Sequence, residues 1–239
     1  MPANESASVK RLVLFDIDET MISSDGAGRR ALSRAVSQRH GIPDEFTRIP
    51  MSGKTDPQIL GEIFTAAALK LEGEALKKEI EHTIEVYLEF LEEEIPASEY
   101  YIVHTGVPAL LDRLSVEPNA YLGLLTGNVE AGARKKLKRF DLNKYFDIGA
   151  YGSDSASRLD LPEVAVKRAL DYFKEQFTPE EVVIIGDSVG DIACAHHYGA
   201  TALIANTGRT TWAELEALKP KYLFKDLGNI DEVMTAIFN

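Results

Sequence analysis

Four short apolar runs in this chain each end in small or polar residues and are followed by a helical pattern. They cover residues 12–15, 121–125, 182–185 and 201–205. Runs of this length are typical of strands buried on both faces. Strands that alternate with helices favour βαβ units and a parallel sheet between two helical layers. The pattern therefore predicts an α/β protein with a three-layer core.

The segment between the first two strands has a different pattern. From about residue 28 to 95 it shows helical periodicity and almost no strand signal. We therefore expect a core domain of residues 1–22 and 104–239, interrupted by an all-helical cap domain of residues 23–103. An insert at this place lies above the carboxyl edge of the sheet, where it can cover a ligand.

Composition limits the partners of this chain. Its net charge of −12, from 26 basic and 38 acidic residues, disfavours nucleic acid, which requires clustered Lys and Arg. A small phosphate ester remains compatible with that charge.

The single cysteine, Cys194, excludes an intrachain disulfide or a cysteine-based zinc site. No apolar run approaches the ~20 residues that span a bilayer. With no signal-peptide pattern in residues 1–10, we expect a cytoplasmic protein without a membrane partner.

Candidate catalytic or ligand-binding side chains follow three of the four predicted strands. They are Asp16, Asp18 and Thr20 after the first, Thr126, Gly127 and Asn128 after the second, and Asp187 and Asp191 after the third. Because the carboxyl ends of parallel strands meet at one edge of a sheet, we expect these side chains to converge. Taken alone, Asp16 and Asp18 fit a solvated acidic turn as well as they fit a ligand site.

Together these residue types indicate phosphoryl chemistry. Several carboxylates with hydroxyls, and without His or Cys, form a hard oxygen site suited to Mg²⁺. A carboxylate beside such an ion can attack phosphorus and form an aspartyl-phosphate. A second carboxyl two residues later can protonate the leaving oxygen and then activate water. The hydroxyl of Thr126 can donate a hydrogen bond to a phosphoryl oxygen.

Three motifs carry a resemblance to a known family. The DxDxT motif at residues 16–20, the TGN motif at 126–128 and the GDxxxD motif at 186–191 occur in this order. They resemble those of the haloacid dehalogenase (HAD) superfamily, and the helical insert resembles its type 1 cap. The likeness runs from about residue 10 onward and is to phosphoglycolate phosphatase-like members. It implies a Rossmann-like, HAD-like core with a small all-helical cap.

The resemblance also implies roles for these residues. Asp16 is the expected nucleophile, and Asp18 is the expected general acid/base, with its backbone carbonyl on the metal ion. The expected Mg²⁺ ligands are Asp16, Asp18, Asp187 and Asp191, the last directly or through water. The expected phosphate-binding residues are Thr20, Thr126, Gly127 and Asn128.

The chain departs from the family pattern at two positions. Glu19 follows the second aspartate, where most members have Gly or another residue. The third family motif is a Lys shortly before a helix, and the matching stretch here, residues 157–162, contains Arg158 instead. Arg158 is our candidate for the catalytic cation, although its planar guanidinium differs from the point charge of a lysine. Lys135 and Lys167 fit this role less well because they lie inside predicted helices.

One turn-rich stretch of the insert, residues 52–57, contains Lys54. In capped members of the family a cap loop reaches the leaving group of the substrate, which makes Lys54 a candidate contact for an anionic substrate. The same stretch fits a plain helix start equally well.

The sequence therefore predicts a magnesium-dependent phosphatase that hydrolyses a small phosphorylated metabolite through an aspartyl-phosphate. An alternative is a phosphomutase resembling β-phosphoglucomutase, which uses the same phospho-aspartate. A non-catalytic alternative is a phospho-receiver or a degenerate scaffold. We expect a monomer or a small homo-oligomer.

Overall fold

The computed structural model describes residues 9–239, and its elements alternate as predicted. In chain order the strands are β1 (Arg11–Phe15), β2 (Ile22–Ser23), β3 (Ile102–Val103), β4 (Ala120–Thr126), β5 (Ile148–Tyr151), β6 (Val182–Gly186), β7 (Thr201–Ala205) and β8 (Tyr222–Phe224). The α-helices are α1 (Ala27–His40), α2 (Asp56–Ala66), α3 (Gly73–Ala97), α4 (Val107–Ser115), α5 (Glu130–Lys138), α6 (Leu161–Phe173), α7 (Val189–Tyr198), α8 (Trp212–Ala217) and α9 (Ile230–Phe238). A short 3-10 helix, Arg158–Asp160, leads directly into α6.

Six of the strands form one parallel sheet in the order β5-β4-β1-β6-β7-β8. β1 lies in the middle, paired with β4 on one side and β6 on the other, and all its residues are buried. Its side chains alternate between the two faces, as strand geometry requires. Val13 and Phe15 belong to one hydrophobic cluster, and Leu12 and Leu14 belong to another.

Helices complete these two clusters on opposite faces of the sheet. Buried residues of α4, α5 and α9 pack with Val13 and Phe15, whereas those of α6, α7 and α8 pack with Leu12 and Leu14. The predicted three-layer α/β core is therefore confirmed.

The insert contains α1, α2 and α3 and lies between β2 and β3. These two short strands pair antiparallel, with Ile22 opposite Val103 and Ser23 opposite Ile102. The pair lies where the sequence placed the borders of the cap, although the division into two domains stays a prediction. Within residues 9–239, no helix is both long enough and apolar enough to cross a membrane.

Candidate active site

The predicted site residues lie at one edge of the sheet. Phe15, the last residue of β1, is in register with Leu124 of β4 and Ile185 of β6, so the loops that follow the three strands start side by side. These loops border a cavity of about 360 Å³, which the insert also lines. The predicted residues on its wall are Asp16, Asp18, Lys54, Thr126, Gly127, Asn128, Arg158 and Asp187.

Three buried carboxylates form the centre of this edge. Asp16, Asp187 and Asp191 each offer an oxygen within 4.8 Å of the others. Burial raises the pKa of Asp16 to about 6, with repulsion from Asp191 and Asp18 adding to it and Arg158 opposing it. Burial, with repulsion from Asp191 and Asp16, raises the pKa of Asp187 well above its usual value. Like charges held together out of water are costly, and a hard divalent cation relieves that cost. The donor set therefore fits Mg²⁺.

Arg158 provides a positive charge beside this cluster. Its buried guanidinium lies 3.1 Å from Oδ1 of Asp16 and 2.5 Å from Oδ1 of Asp191. Burial disfavours the charged guanidinium, but attraction to Asp191 and Asp16 outweighs it, and the pKa of Arg158 is raised. The structure thus brings the arginine that replaces the family lysine into contact with the predicted nucleophile.

Asp191 is held entirely by protein donors. Its Oδ2 accepts hydrogen bonds from the Ser188 hydroxyl at 2.6 Å and from the Ser188 backbone N–H at 3.0 Å, while its Oδ1 faces Arg158. It is fully buried and does not line the cavity. Of the two arrangements expected for Asp191, these contacts favour the indirect one.

Thr20 lies behind the carboxylates rather than at the cavity. It is fully buried, and its hydroxyl donates to Oδ1 of Asp187 at 2.9 Å. The expected contact between Thr20 and phosphate does not agree with this placement, because the hydroxyl proton is already used. Thr20 instead orients a candidate metal ligand.

Asp18 is not part of this cluster and belongs to a separate hydrogen-bond network. Its Oδ2 accepts from Nζ of Lys136 at 2.6 Å and from Nδ2 of Asn128 at 2.7 Å. Burial alone would raise the pKa of Asp18, but the Lys136 ammonium and the hydrogen bonds from Lys136 and Asn128 hold it below its usual value. Nδ2 of Asn128 also lies 2.9 Å from the hydroxyl of Thr126. The side chain of Asn128 therefore orients Asp18 and Thr126.

The insert reaches the site through residues 52–56. The backbone N–H of Asp56 donates to the carbonyl of Gly127 at 2.8 Å. A Cβ at Gly127 would lie 2.0 Å from the carbonyl oxygen of Lys54, so only glycine permits this approach. Lys54 lines the cavity, but its ammonium donates to Glu62 at 2.5 Å. Its role as a substrate contact stays a prediction.

Glu19 adopts a left-handed backbone conformation, with φ of 60°. Such a conformation costs a non-glycine residue roughly 1 kcal/mol. Its side chain accepts a hydrogen bond from Ser23 and lies 3.6 Å from Nε2 of His104, and its backbone carbonyl accepts from Thr207. These contacts hold the carboxylate of Glu19 at the base of the insert. Glu19 also lines the cavity.

Comparison with known proteins identifies the family. Residues 10–199 match the family model of the haloacid dehalogenase-like hydrolases. The chain belongs to this family. The resemblance drawn from its motifs is confirmed, and the chain is a hydrolase.

Relatives and solved structures agree with this assignment. The chain is 26% identical to the phosphorylated carbohydrates phosphatase of Thermotoga maritima over 189 residues, which cover 78% of this chain and 81% of that protein. It is similar in fold to a predicted phosphoglycolate phosphatase from Haemophilus somnus, with a TM-score of 0.69, 17% identity and coverage of 96% and 99% of the two chains. CbbY from Rhodobacter sphaeroides in complex with phosphate gives a TM-score of 0.66, with 16% identity and coverage of 92% and 96%.

Sequence reasoning missed Lys136, a charged residue of this hydrolase's site that lines the cavity and bonds to Asp18. A signal for it existed, because Lys136 lies three residues after Ala133 and seven after Val129, on the buried face of α5. A lysine on the apolar face of a helix requires a buried partner, and Asp18 is that partner.

Proposed function

We propose that this hydrolase is a magnesium-dependent phosphatase that cleaves a small phosphate monoester through an aspartyl-phosphate on Asp16. The contact of Asp16 with Arg158, beside Asp187 at the wall of a cavity that the insert also lines, is the observation that supports this proposal most. This arrangement supports the proposal because the candidate nucleophile, the candidate cation and the candidate metal ligand Asp187 all border the same cavity. We further propose that the enzyme acts in the cytoplasm as a monomer or small homo-oligomer.

The first half of the reaction forms the intermediate. A carboxylate oxygen of Asp16 attacks phosphorus, and the bond from phosphorus to the leaving oxygen breaks. The hydroxyl of Thr126 and the backbone after it orient the phosphoryl oxygens, while Arg158 balances the charge around Asp16. The small fraction of Asp18 that is protonated gives its proton to the leaving oxygen.

The second half restores the enzyme. Asp18 takes a proton from water, the water oxygen attacks phosphorus, and Asp16 is released together with inorganic phosphate. Asp16, Asp187 and the backbone carbonyl of Asp18 would hold Mg²⁺, with Asp191 in support. The bound ion supplies positive charge that reduces repulsion between the Asp16 carboxylate and the phosphoryl oxygens.

A screen of small phosphorylated metabolites at fixed Mg²⁺, read by release of inorganic phosphate, tests this function. We expect phosphate release from at least one monoester by the wild-type enzyme. Formation of a phosphate isomer without release would support the phosphomutase alternative. If no ester reacts but Asp16 carries a stable phosphoryl group, a receiver function would replace the proposal.

Removal of divalent metal is expected to stop turnover and to lower the melting temperature. Without the ion, the buried carboxylates of Asp16 and Asp187 repel each other. Saturating Mg²⁺ is expected to stabilise the fold by about 2–3 kcal/mol. The measurement is a Mg²⁺ titration after chelation, followed by phosphate release and by thermal unfolding. Undiminished turnover in the metal-free enzyme would contradict the role of Mg²⁺.

Gly127→Ala is expected to lower kcat/KM roughly 10- to 100-fold, because it pushes the insert loop away from the site. The new methyl group would collide with the carbonyl of Lys54. Gly61→Ala is the matched control: no atom lies within 4 Å of its added Cβ, and it lies inside α2. That variant should keep full activity and gain about 0.5–1 kcal/mol of stability. Wild-type kcat/KM in Gly127→Ala would show that the contact is irrelevant to catalysis.

A further inference from the structure

Lys136 is a buried lysine that none of the family motifs includes. It lies in the last turn of α5, and only 4% of its surface is exposed. Burying an ammonium group costs several kcal/mol unless the charge is paired and hydrogen-bonded. The groups that pair with the Lys136 ammonium therefore indicate the role of this buried charge.

Those partners belong to the candidate active site. Nζ of Lys136 donates to Oδ2 of Asp18 at 2.6 Å and to Oδ1 of Asn128 at 2.7 Å. Nδ2 of Asn128 donates to the same Oδ2 of Asp18 at 2.7 Å. One oxygen of Asp18 is thus held by two donors, which also bond to each other.

The other oxygen of Asp18 is held far less firmly. Its Oδ1 accepts only a long hydrogen bond, 3.3 Å, from the hydroxyl of Ser24 among the residues that the structure describes. Asp18 also lines the cavity. Oδ1 is therefore the oxygen that remains for exchange of a proton with substrate.

The insert fixes Lys136 from the opposite side. A Cβ on Gly28 of α1 would lie 3.2 Å from Nζ of Lys136 and 3.7 Å from the hydroxyl of Tyr87 in α3. The lysine thus lies between the sheet edge and two helices of the insert. This close packing limits the positions that its ammonium group can take.

We propose that Lys136 is a positioning residue for proton transfer by Asp18. Resting on the proposed phosphatase function, Lys136 and Asn128 hold Oδ2 of Asp18, and Oδ1 delivers the proton to the leaving oxygen and later takes one from water. Lys136 lines the cavity, and the partners of its ammonium group are Asp18 and Asn128 rather than the nucleophile Asp16. Its removal leaves Asp18 present but free to turn, so only the steps that need Asp18 should slow.

The test compares leaving groups that need the proton to different extents. Lys136→Met and the neighbouring control Lys135→Met are assayed with 4-nitrophenyl phosphate, phenyl phosphate and ethyl phosphate. Lys135 pairs with Glu92 at the surface and has no contact with Asp18. We expect Lys136→Met to lower kcat about 100-fold for ethyl phosphate, and less than about 5-fold for 4-nitrophenyl phosphate. KM should change little, and Lys135→Met should match the wild type with all three esters.

A double-mutant cycle separates positioning from a general structural effect. If Lys136 acts through Asp18, adding Lys136→Met to Asp18→Asn should cause no further loss of kcat on ethyl phosphate. Lys136→Gln, which keeps a neutral donor, provides the same comparison if the Met variant does not fold. Equal losses of kcat for all three esters, a change confined to KM, or multiplicative losses in the double variant would overturn the proposal. Hydrolysis of the esters by the wild type shows in the same experiment that the phosphatase function itself stands.

Discussion

Asp16→Asn is expected to lower kcat for every phosphate monoester by about 10,000-fold or more, because an amide cannot attack phosphorus as a carboxylate does. The substitution keeps the shape of a side chain that is 7% exposed and lies 3.1 Å from Arg158. The measurement is phosphate release under saturating Mg²⁺, with a protein sample of verified fold. Substantial turnover by this variant would show that Asp16 is not the nucleophile.

Although Asp16→Asn should abolish most of the turnover, we expect it to stabilise the metal-free fold at neutral pH. Burial raises the pKa of Asp16 to about 6. An acid whose pKa is higher in the folded state destabilises the fold as pH rises from its unfolded value, about 4, through its folded value. Metal-free Asp16→Asn should therefore melt above the metal-free wild type at pH 7, and the difference should shrink towards pH 4. A lower melting temperature at pH 7 would contradict this assignment of the buried charge.

Arg158→Met is expected to impair both stability and turnover. It leaves Asp16 and Asp191 buried without their cation, and breaking a buried ion pair costs about 3–5 kcal/mol. Loss of the fixed positive charge beside the nucleophile should lower kcat/KM about 100-fold or more. Urea unfolding and phosphate release measure the two effects.

Two further variants separate charge from shape in this prediction. Arg158→Lys restores a positive charge without the guanidinium fork, and should keep the fold and part of the activity. Arg168→Met removes a more exposed arginine that pairs with Asp154, and should cost within about 1 kcal/mol without loss of activity. Wild-type stability and turnover in Arg158→Met would show that Arg158 is neither the partner of the buried carboxylates nor the catalytic cation.

The inner strands were predictable from sequence, whereas two edge strands were not. β1, β4, β6 and β7 are apolar runs, because they are buried between helical layers. β5 and β8 lie at the two edges of the sheet. β5 contains Gly149 and β8 has only three residues, so neither forms a recognisable run. Their pairing depends on a neighbour that the local sequence does not reveal.

In the candidate site, too, the residues with a signal in the nearby sequence were found, and the residue whose position depends on tertiary packing was missed. Asp16, Asp18, Thr126 and Asp187 were found because each lies at or just after the end of an apolar run, and Arg158 because its stretch matches the third family motif ahead of a helix. Lys136 was missed because the direction of its side chain depends on how α5 is rotated against the sheet. Lys135 and Lys136 are adjacent in sequence, yet one pairs with Glu92 at the surface and the other with Asp18 in the site.

The proposed mechanism requires that Asp16 becomes phosphorylated during turnover. The most direct measurement is to quench the enzyme with hydroxylamine during steady turnover with Mg²⁺, and to map the modified peptides by mass spectrometry. Hydroxylamine converts an acyl phosphate to a stable hydroxamate. We predict a hydroxamate on Asp16 that requires both substrate and Mg²⁺ and is absent from Asp16→Asn. A hydroxamate on another carboxylate, or undiminished turnover by Asp16→Asn, would contradict the role of Asp16 as the nucleophile.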